Sequence, residues 1–142
     1  MKKIIILFSI FVTISTAKSN AQSSYQGIVD AFFTVYEKNP IDAYTMLFLN
    51  NKWVDENTKT EFKYNFRYFL KDLGEYDGYE LISNRSIGES YVLLSYLMKY
   101  EREPFRIKLI FYKPKKEWLL QNFTYDTDFS NELEDGAKLD RQ

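Results

Sequence analysis

Tyr91-Val92-Leu93-Leu94-Ser95-Tyr96-Leu97-Met98-Lys99-Tyr100-Glu101-Arg102-Glu103-Pro104-Phe105-Arg106-Ile107-Lys108-Leu109-Ile110-Phe111-Tyr112 is the passage that decides the fold. Apolar side chains recur in it at every second residue, the period of a pleated strand with one buried face. Two strands are expected, Ser90 to Glu101 and Phe105 to Lys113, joined through the polar Arg102-Glu103. A two-residue loop there pairs Tyr100 with Phe105, Met98 with Ile107, Tyr96 with Leu109 and Leu94 with Phe111. One face is then apolar throughout. The other carries Ser95, Lys99, Arg106 and Lys108 among Leu93, Leu97 and Tyr112. A slip of one residue would set charges into the apolar rows, and burial forbids that.

Working outward, Pro114 to Glu117 is a short polar connection to a last strand, Trp118 to Tyr125. Short connections of this kind make an antiparallel meander. The facing of the last strand stays open. A four-residue loop turns Trp118, Leu120 and Asn122 inward, the slightly favoured register. A three- or five-residue loop turns Leu119, Gln121, Phe123 and Tyr125 inward, and a bulge would use both sets. Upstream, the turn pair Asp77-Gly78 introduces a fourth strand, Tyr79 to Ser86, and Gly88 breaks it.

Before Gly74 the period lengthens to that of a helix. Tyr25, Ile28, Val29, Phe32, Phe33 and Tyr36 form one aromatic helical face. Asn39-Pro40 offers a cap and a first helical residue for a second helix with Ile41, Tyr44, Leu47 and Phe48 inward, closed by Asn50-Asn51. Thr58-Lys59-Thr60-Glu61 has the form of a capping box, followed by Phe62, Phe66, Phe69, Leu70 and Leu73, with Gly74 as the stop. Trp53 and Val54, between helices, either form a short edge strand or plug the core. The expected architecture is α+β: three N-terminal helices packed in the concave face of a curved antiparallel sheet of about four strands.

Three local passages sharpen this expectation: Ala31-Phe32-Phe33-Thr34-Val35-Tyr36, Ala43-Tyr44-Thr45-Met46-Leu47-Phe48 and Trp118-Leu119-Leu120-Gln121-Asn122-Phe123. With the order of elements, they resemble the nuclear-transport-factor-like superfamily, which includes ketosteroid isomerase-like and SnoaL-like domains and has a cystatin-like cone shape. The resemblance implies a cone with an interior site, in which the enzymes of the group place a Tyr, Asp or His. No catalytic pattern of theirs matches here residue by residue. Members that depend on His are excluded, because the chain has none, and the Gln-x-Val-x-Gly inhibitory loop of cystatins is absent.

The chain's start reads as an export signal. Lys2 and Lys3 precede an apolar run from Ile4 to Ile14, and Ser19-Asn20-Ala21 supplies small residues before a cut at Ala21–Gln22; a cut after Ala17 is the second choice. An uncleaved anchor is the competing reading, but the run falls short of the roughly 20 residues that a span needs. With no Cys at the cut, a lipoprotein is excluded. Residues 1–21 are thus expected to be removed, 22–129 to form one domain exported to the periplasm or medium, and 130–142 to form a short helical turn and an acidic, frayed tail. No membrane contact is expected after cleavage.

Composition narrows the chemistry. Losing Lys2, Lys3 and Lys18 and no acid takes the formal charge from −1 to −4, which disfavours nucleic acid as a partner. Without Cys or His, the soft metal ligands and the commonest general base are missing. No metal, cofactor or catalytic residue is assigned. Aromatics are 18% of the chain, twelve Tyr and twelve Phe among them, enough to line a cone. Tyr36, Tyr96, Tyr100, Phe111, Trp118 and Asn122 are the candidates for a pocket taking a small apolar or aromatic ligand. The alternative for these rings is a filled core in which each hydroxyl finds a partner. Asp126 and Asp128 lack the Gly-bearing loop of a calcium site, and Lys113, Lys115 and Lys116 read as a solvated hairpin tip. Tyr91, Leu93, Leu97, Ile110 and Tyr112 share the outer sheet face. That face awaits either a second copy, another protein or the C-terminal tail. The functional expectation is a binding or interaction module, leaning away from an enzyme. The alternatives are an isomerase- or dehydratase-type enzyme using Tyr96 or Tyr100, and a purely structural dimerisation domain. Intact-mass measurement of the envelope-purified protein is expected to show a chain beginning at Gln22; a mass retaining Met1 would remove the export reading.

Overall fold

The structure, a computed structural model, describes residues 24–49 and 51–139. The expected signal peptide lies outside the described residues. In chain order the elements are α1 (Tyr25–Tyr36), α2 (Pro40–Leu47), α3 (Glu56–Leu70), β1 (Tyr76–Ile87), β2 (Tyr91–Tyr100), β3 (Phe105–Tyr112), β4 (Leu119–Asp126) and α4 (Ser130–Leu139). The strands form one open antiparallel sheet in the order β1-β2-β3-β4. The α+β class and the helices-then-meander order are as expected; the fourth helix is additional, formed where only a single turn and a frayed tail were expected.

Local chemistry sets the helix ends. Ser24 caps α1 by accepting from the Gly27 amide at 3.1 Å. Asn39 caps α2, its Oδ1 accepting from the amides of Ile41 and Asp42, with Pro40 as the first helical residue. The capping box at Thr58 is displaced. α3 starts one turn earlier, because Asp55 accepts from both the Thr58 amide (2.9 Å) and the Thr58 hydroxyl (2.7 Å). An ionised carboxylate suits the positive end of a helix better than a neutral hydroxyl does. Beyond α3, Gly74 has φ +84°, and a Cβ there would lie 3.0 Å from the Cβ of Glu101. Both the dihedral and the close approach demand glycine.

In the central hairpin Met98 pairs with Phe105, Tyr96 with Ile107, Leu94 with Leu109 and Val92 with Phe111. This is two residues from the register of a two-residue loop, so every side chain keeps its expected face. The physical cause lies at the end of β2. The amides of Glu101 and Arg102 donate to the carbonyls of Glu75 (2.9 Å) and Leu73 (3.0 Å), tying this stretch to the α3–β1 connection rather than to β3. Pro104 has no amide to donate to the ladder. A longer loop results.

The last strand uses a bulge. Ile110 pairs with Asn122 but Phe111 pairs with Leu120, leaving Gln121 as the extra residue. Leu120 and Phe123 are therefore both buried, Trp118 and Tyr125 are half-buried, and Asn122 is exposed on the other face. The favoured inward placement of Asn122 is thereby corrected. Phe123 touches rings from all three helices before the sheet: Phe32 of α1 at 6.3 Å, Tyr44 of α2 at 5.4 Å, and Phe62 and Phe66 of α3 at 5.2 and 5.7 Å. Edge-on contacts of this kind add to the free energy of burying the rings. Trp53 neither forms an edge strand nor plugs the core. It is 81% exposed beneath the Lys52 ammonium, while Val54 packs on the core.

On the outer face Arg106 is buried. Its guanidinium donates to Asp126 through Nη2 (2.6 Å) and Nε (3.3 Å), pairs through Nη1 with Glu132 of α4, and lies 5.7 Å from the Phe129 ring centre. Among the interface candidates Tyr91, Leu93, Leu97 and Ile110 are half-buried, and Tyr112 is 40% exposed beside the Tyr91 ring. Phe66, fully buried, and Tyr64, largely exposed, share α3. Urea unfolding is expected to show Phe66→Ala losing about 3–5 kcal/mol, with Tyr64→Ala within about 0.5 kcal/mol of the parent.

Candidate functional site

Three elements end at one place and each contributes a tyrosine there. Tyr36 is the last residue of α1, Tyr76 the first of β1 and Tyr100 the last of β2. Tyr76 and Tyr100 are cross-strand partners, with ring centres 5.3 Å apart, and Tyr36 lies 5.1 Å from Tyr76. The Tyr36 and Tyr100 hydroxyls are 3.0 Å apart and hydrogen-bonded. The Tyr76 hydroxyl is shielded from solvent and has no partner among the described residues.

These tyrosines line an open depression of about 310 Å³, near the lower end of the range for small-molecule sites. Pro40 and Ile41 of α2 and Leu70 of α3 add apolar wall, and Glu37, Arg67 and Lys71 add charge. Local backbone geometry makes the site. The register shifts between Tyr76 and Gly78, and Gly78 at φ +113° accommodates it, which turns the Tyr76 ring toward Tyr36.

All three hydroxyls are held in the neutral form. Burial raises the Tyr36 pKa far above its ordinary value, and the Tyr100 and Tyr76 hydroxyls beside it add to the effect. Burial also raises Tyr76, helped by Tyr100, Tyr79 and Glu37. Tyr100 is raised by burial, while the hydrogen bond from Tyr36 acts the other way. A ligand would therefore meet neutral phenols able to donate or accept, not a phenolate base.

Of the six residues expected to line a pocket, the structure brings Tyr36 and Tyr100 together. The other four are elsewhere. Tyr96 is sealed in the core between Phe33 (4.8 Å) and Tyr79 (5.7 Å), where burial pushes its pKa up to about 12. Phe111 is fully buried, 6.2 Å from Tyr25, and Trp118 packs edge-on to Tyr25 at 5.1 Å with the Lys113 ammonium 5.0 Å from its own ring. Asn122 faces outward. Sequence reasoning missed Tyr76, Glu37, Arg67 and Lys71. Tyr76 lay behind Asp77-Gly78, read as a turn; reading that pair as a bulge would have carried the strand back to Tyr76.

Among the described residues no group of three or more His, Cys, Asp or Glu is placed to hold a metal ion, and no helix is long and apolar enough to cross a membrane. No protein-family model, curated protein or solved structure matches the chain.

Raised tyrosine pKa values have a definite consequence for stability. Below the ordinary pKa of 10.0 folded and unfolded chains are both protonated, and the tyrosines add no pH dependence. Above it the unfolded chain loses protons that the folded one keeps, so stability falls as pH rises. Urea unfolding between pH 8 and 11 is expected to show a flat region and then a decline beginning near pH 10. Tyr36→Phe, which strands the Tyr100 hydroxyl, is expected to cost about 1–2 kcal/mol at neutral pH and to make the alkaline decline shallower.

Proposed function

We propose that the chain is an exported, non-catalytic module that binds a small, largely apolar ligand in the depression formed at Tyr36, Tyr76 and Tyr100. The observation that carries this reading is the Tyr76 hydroxyl, desolvated and unpartnered beside an open apolar hollow. A hidden hydroxyl without a partner costs on the order of 1–3 kcal/mol, and a ligand acceptor reached by a small ring movement would offset that cost. Apolar walls with a few convergent polar tips are the usual make-up of a ligand site.

Catalysis is the weaker alternative. The three phenols are too strongly protonated to serve as bases, and the carboxylate lining the hollow belongs to Glu37, which is exposed. Dimerisation through the outer face is also weakened as a primary role, since α4 pairs with Arg106 there. The order of helices and strands, with three aromatic helices on one sheet face, supports a likeness to the cone-shaped superfamily, but the hollow here lies at the ends of α1, β1 and β2, not in the filled interior.

Native mass spectrometry of the protein purified from its own envelope is expected to show a small-molecule adduct. Ile41→Trp, which fills the hollow, is expected to abolish it. An adduct that persists unchanged in that variant would place the ligand elsewhere and overturn the assignment.

A further inference from the structure

We infer that the ligand of this hollow is an anion, an aromatic or aliphatic carboxylate rather than a neutral compound; this rests on the reading of the hollow as a ligand site. Two cations stand on one side of it. Arg67 and Lys71 are four residues apart on α3 and its C-cap, so they lie one above the other on the same helical face. Both are exposed, and neither makes an ion pair with any of the described residues.

Positive groups elsewhere are used differently. Lys59, on the same helix, is paired with Glu56, and Arg106 is held by Asp126 and Glu132. The negative features at the hollow are Glu37, the carbonyl ends of α1 and α3, and Glu101, whose carboxylate, like the Arg102 side chain, lies against Gly74 at the hollow's edge. The α3 end is partly closed by its own amides, Lys71 bonding to Tyr68 and Leu73 to Leu70. Among the side chains that line the hollow, two cations therefore stand against one carboxylate, and Glu101 and Arg102 offset each other at its edge, in a chain whose net charge is negative. A local surplus of positive charge against the overall sign of the protein is an electrostatic signature of an anion site.

Geometry and chemistry then divide the ligand between two environments. Its apolar body would lie on Ile41, Leu70 and the tyrosine rings, and its carboxylate would face the exposed Arg67 and Lys71. Neutral tyrosine hydroxyls complete the fit: Tyr76, and whichever of Tyr36 and Tyr100 accepts in their mutual bond, can donate to a carboxylate oxygen, and none carries a charge to repel it. Arg67 can meet a carboxylate through two parallel N–H groups, whereas Lys71 acts as a point charge. With no histidine in the chain, this preference would not switch between pH 6 and 8.

The test uses naphthalene carboxylate and its uncharged carboxamide, two probes of the same shape, titrated into the mature protein and followed by NMR. The carboxylate is expected to bind about tenfold more tightly than the amide, with both probes shifting the ring resonances of Tyr36, Tyr76 and Tyr100. In Arg67→Gln/Lys71→Gln, two exposed substitutions, that ratio is expected to fall to about one. Equal affinities in the parent protein would overturn the anion inference and leave the hollow as a binding site. A carboxylate preference that survives the double substitution would also overturn it, since the charge would then be read elsewhere. If neither probe moves the three tyrosines, the ligand site itself is wrongly placed, and both conclusions fall together.

Discussion

Phe123 is the ring on which the interior is organised. It projects from β4 and touches aromatic side chains of α1, α2 and α3. Its inward direction depends on one extra residue, Gln121, at which the β3–β4 register shifts. Strict alternation from Leu120 would send Asn122 inward and Phe123 into water. An unpaired carboxamide among Phe32, Tyr44, Phe62 and Phe66 would cost on the order of the desolvation of an amide, several kcal/mol. The bulge removes that conflict, and it lets Leu120 and Phe123 be buried together. Asn51 reinforces the same place from outside the strand, its side-chain amide donating to the Leu120 carbonyl at 2.6 Å.

With Phe123 inward, the centre of the molecule is filled. Phe66, Phe105, Ile107, Leu109 and Phe111 exclude water completely, and Phe33 stacks on Tyr79 at 3.5 Å. A sealed centre leaves the ends of elements as the places where a hollow can form. Tyr36, Tyr76 and Tyr100 stand at three such ends. Tyrosine suits that position because its ring belongs to the core while its hydroxyl needs polar company. The site is thus a by-product of where α1, β1 and β2 stop, refined by the irregularity at Gly78.

How much of this was legible in the sequence follows from which forces act locally. The two-residue period of Val92 to Phe111, the cap at Asn39 and the left-handed turn at Gly74 each report a short-range constraint and appear in the structure, although α3 itself ends earlier, at Leu70. The exact pairing of the hairpin was not legible, because a slide by two residues preserves every facing. Its cause is a pair of hydrogen bonds from Glu101 and Arg102 to a distant turn. The choice between the two facings of β4 was open for a similar reason, since only the helices above it decide which rings are wanted inside. The start of α3 at Asp55 rather than Thr58 reflects a competition between two adequate caps, which charge decides. Tyr36 and Tyr100 were visible as candidates for the site. Tyr76 was hidden by the bulge, and Arg67 and Lys71 by reading α3 for its apolar face alone.

The outer sheet face follows a different logic from the inner one. Sequence pattern presents it as apolar rows in search of a cover, yet a charged side chain, Arg106, is buried at one end of it. Burial alone would weaken protonation of Arg106, but Asp126 and Glu132 more than offset it, and the guanidinium stays charged. Removing either carboxylate would leave a desolvated cation short of a partner, a far larger loss than an exposed pair sustains. The cost makes the contact with α4 specific, because only an acid placed like Glu132 can complete it. Apolar cover tolerates sliding; a guanidinium enclosed by two carboxylates does not. The cover over this part of the face is therefore fixed in position by charge, while Tyr112, at the other end of β3, stays accessible to solvent.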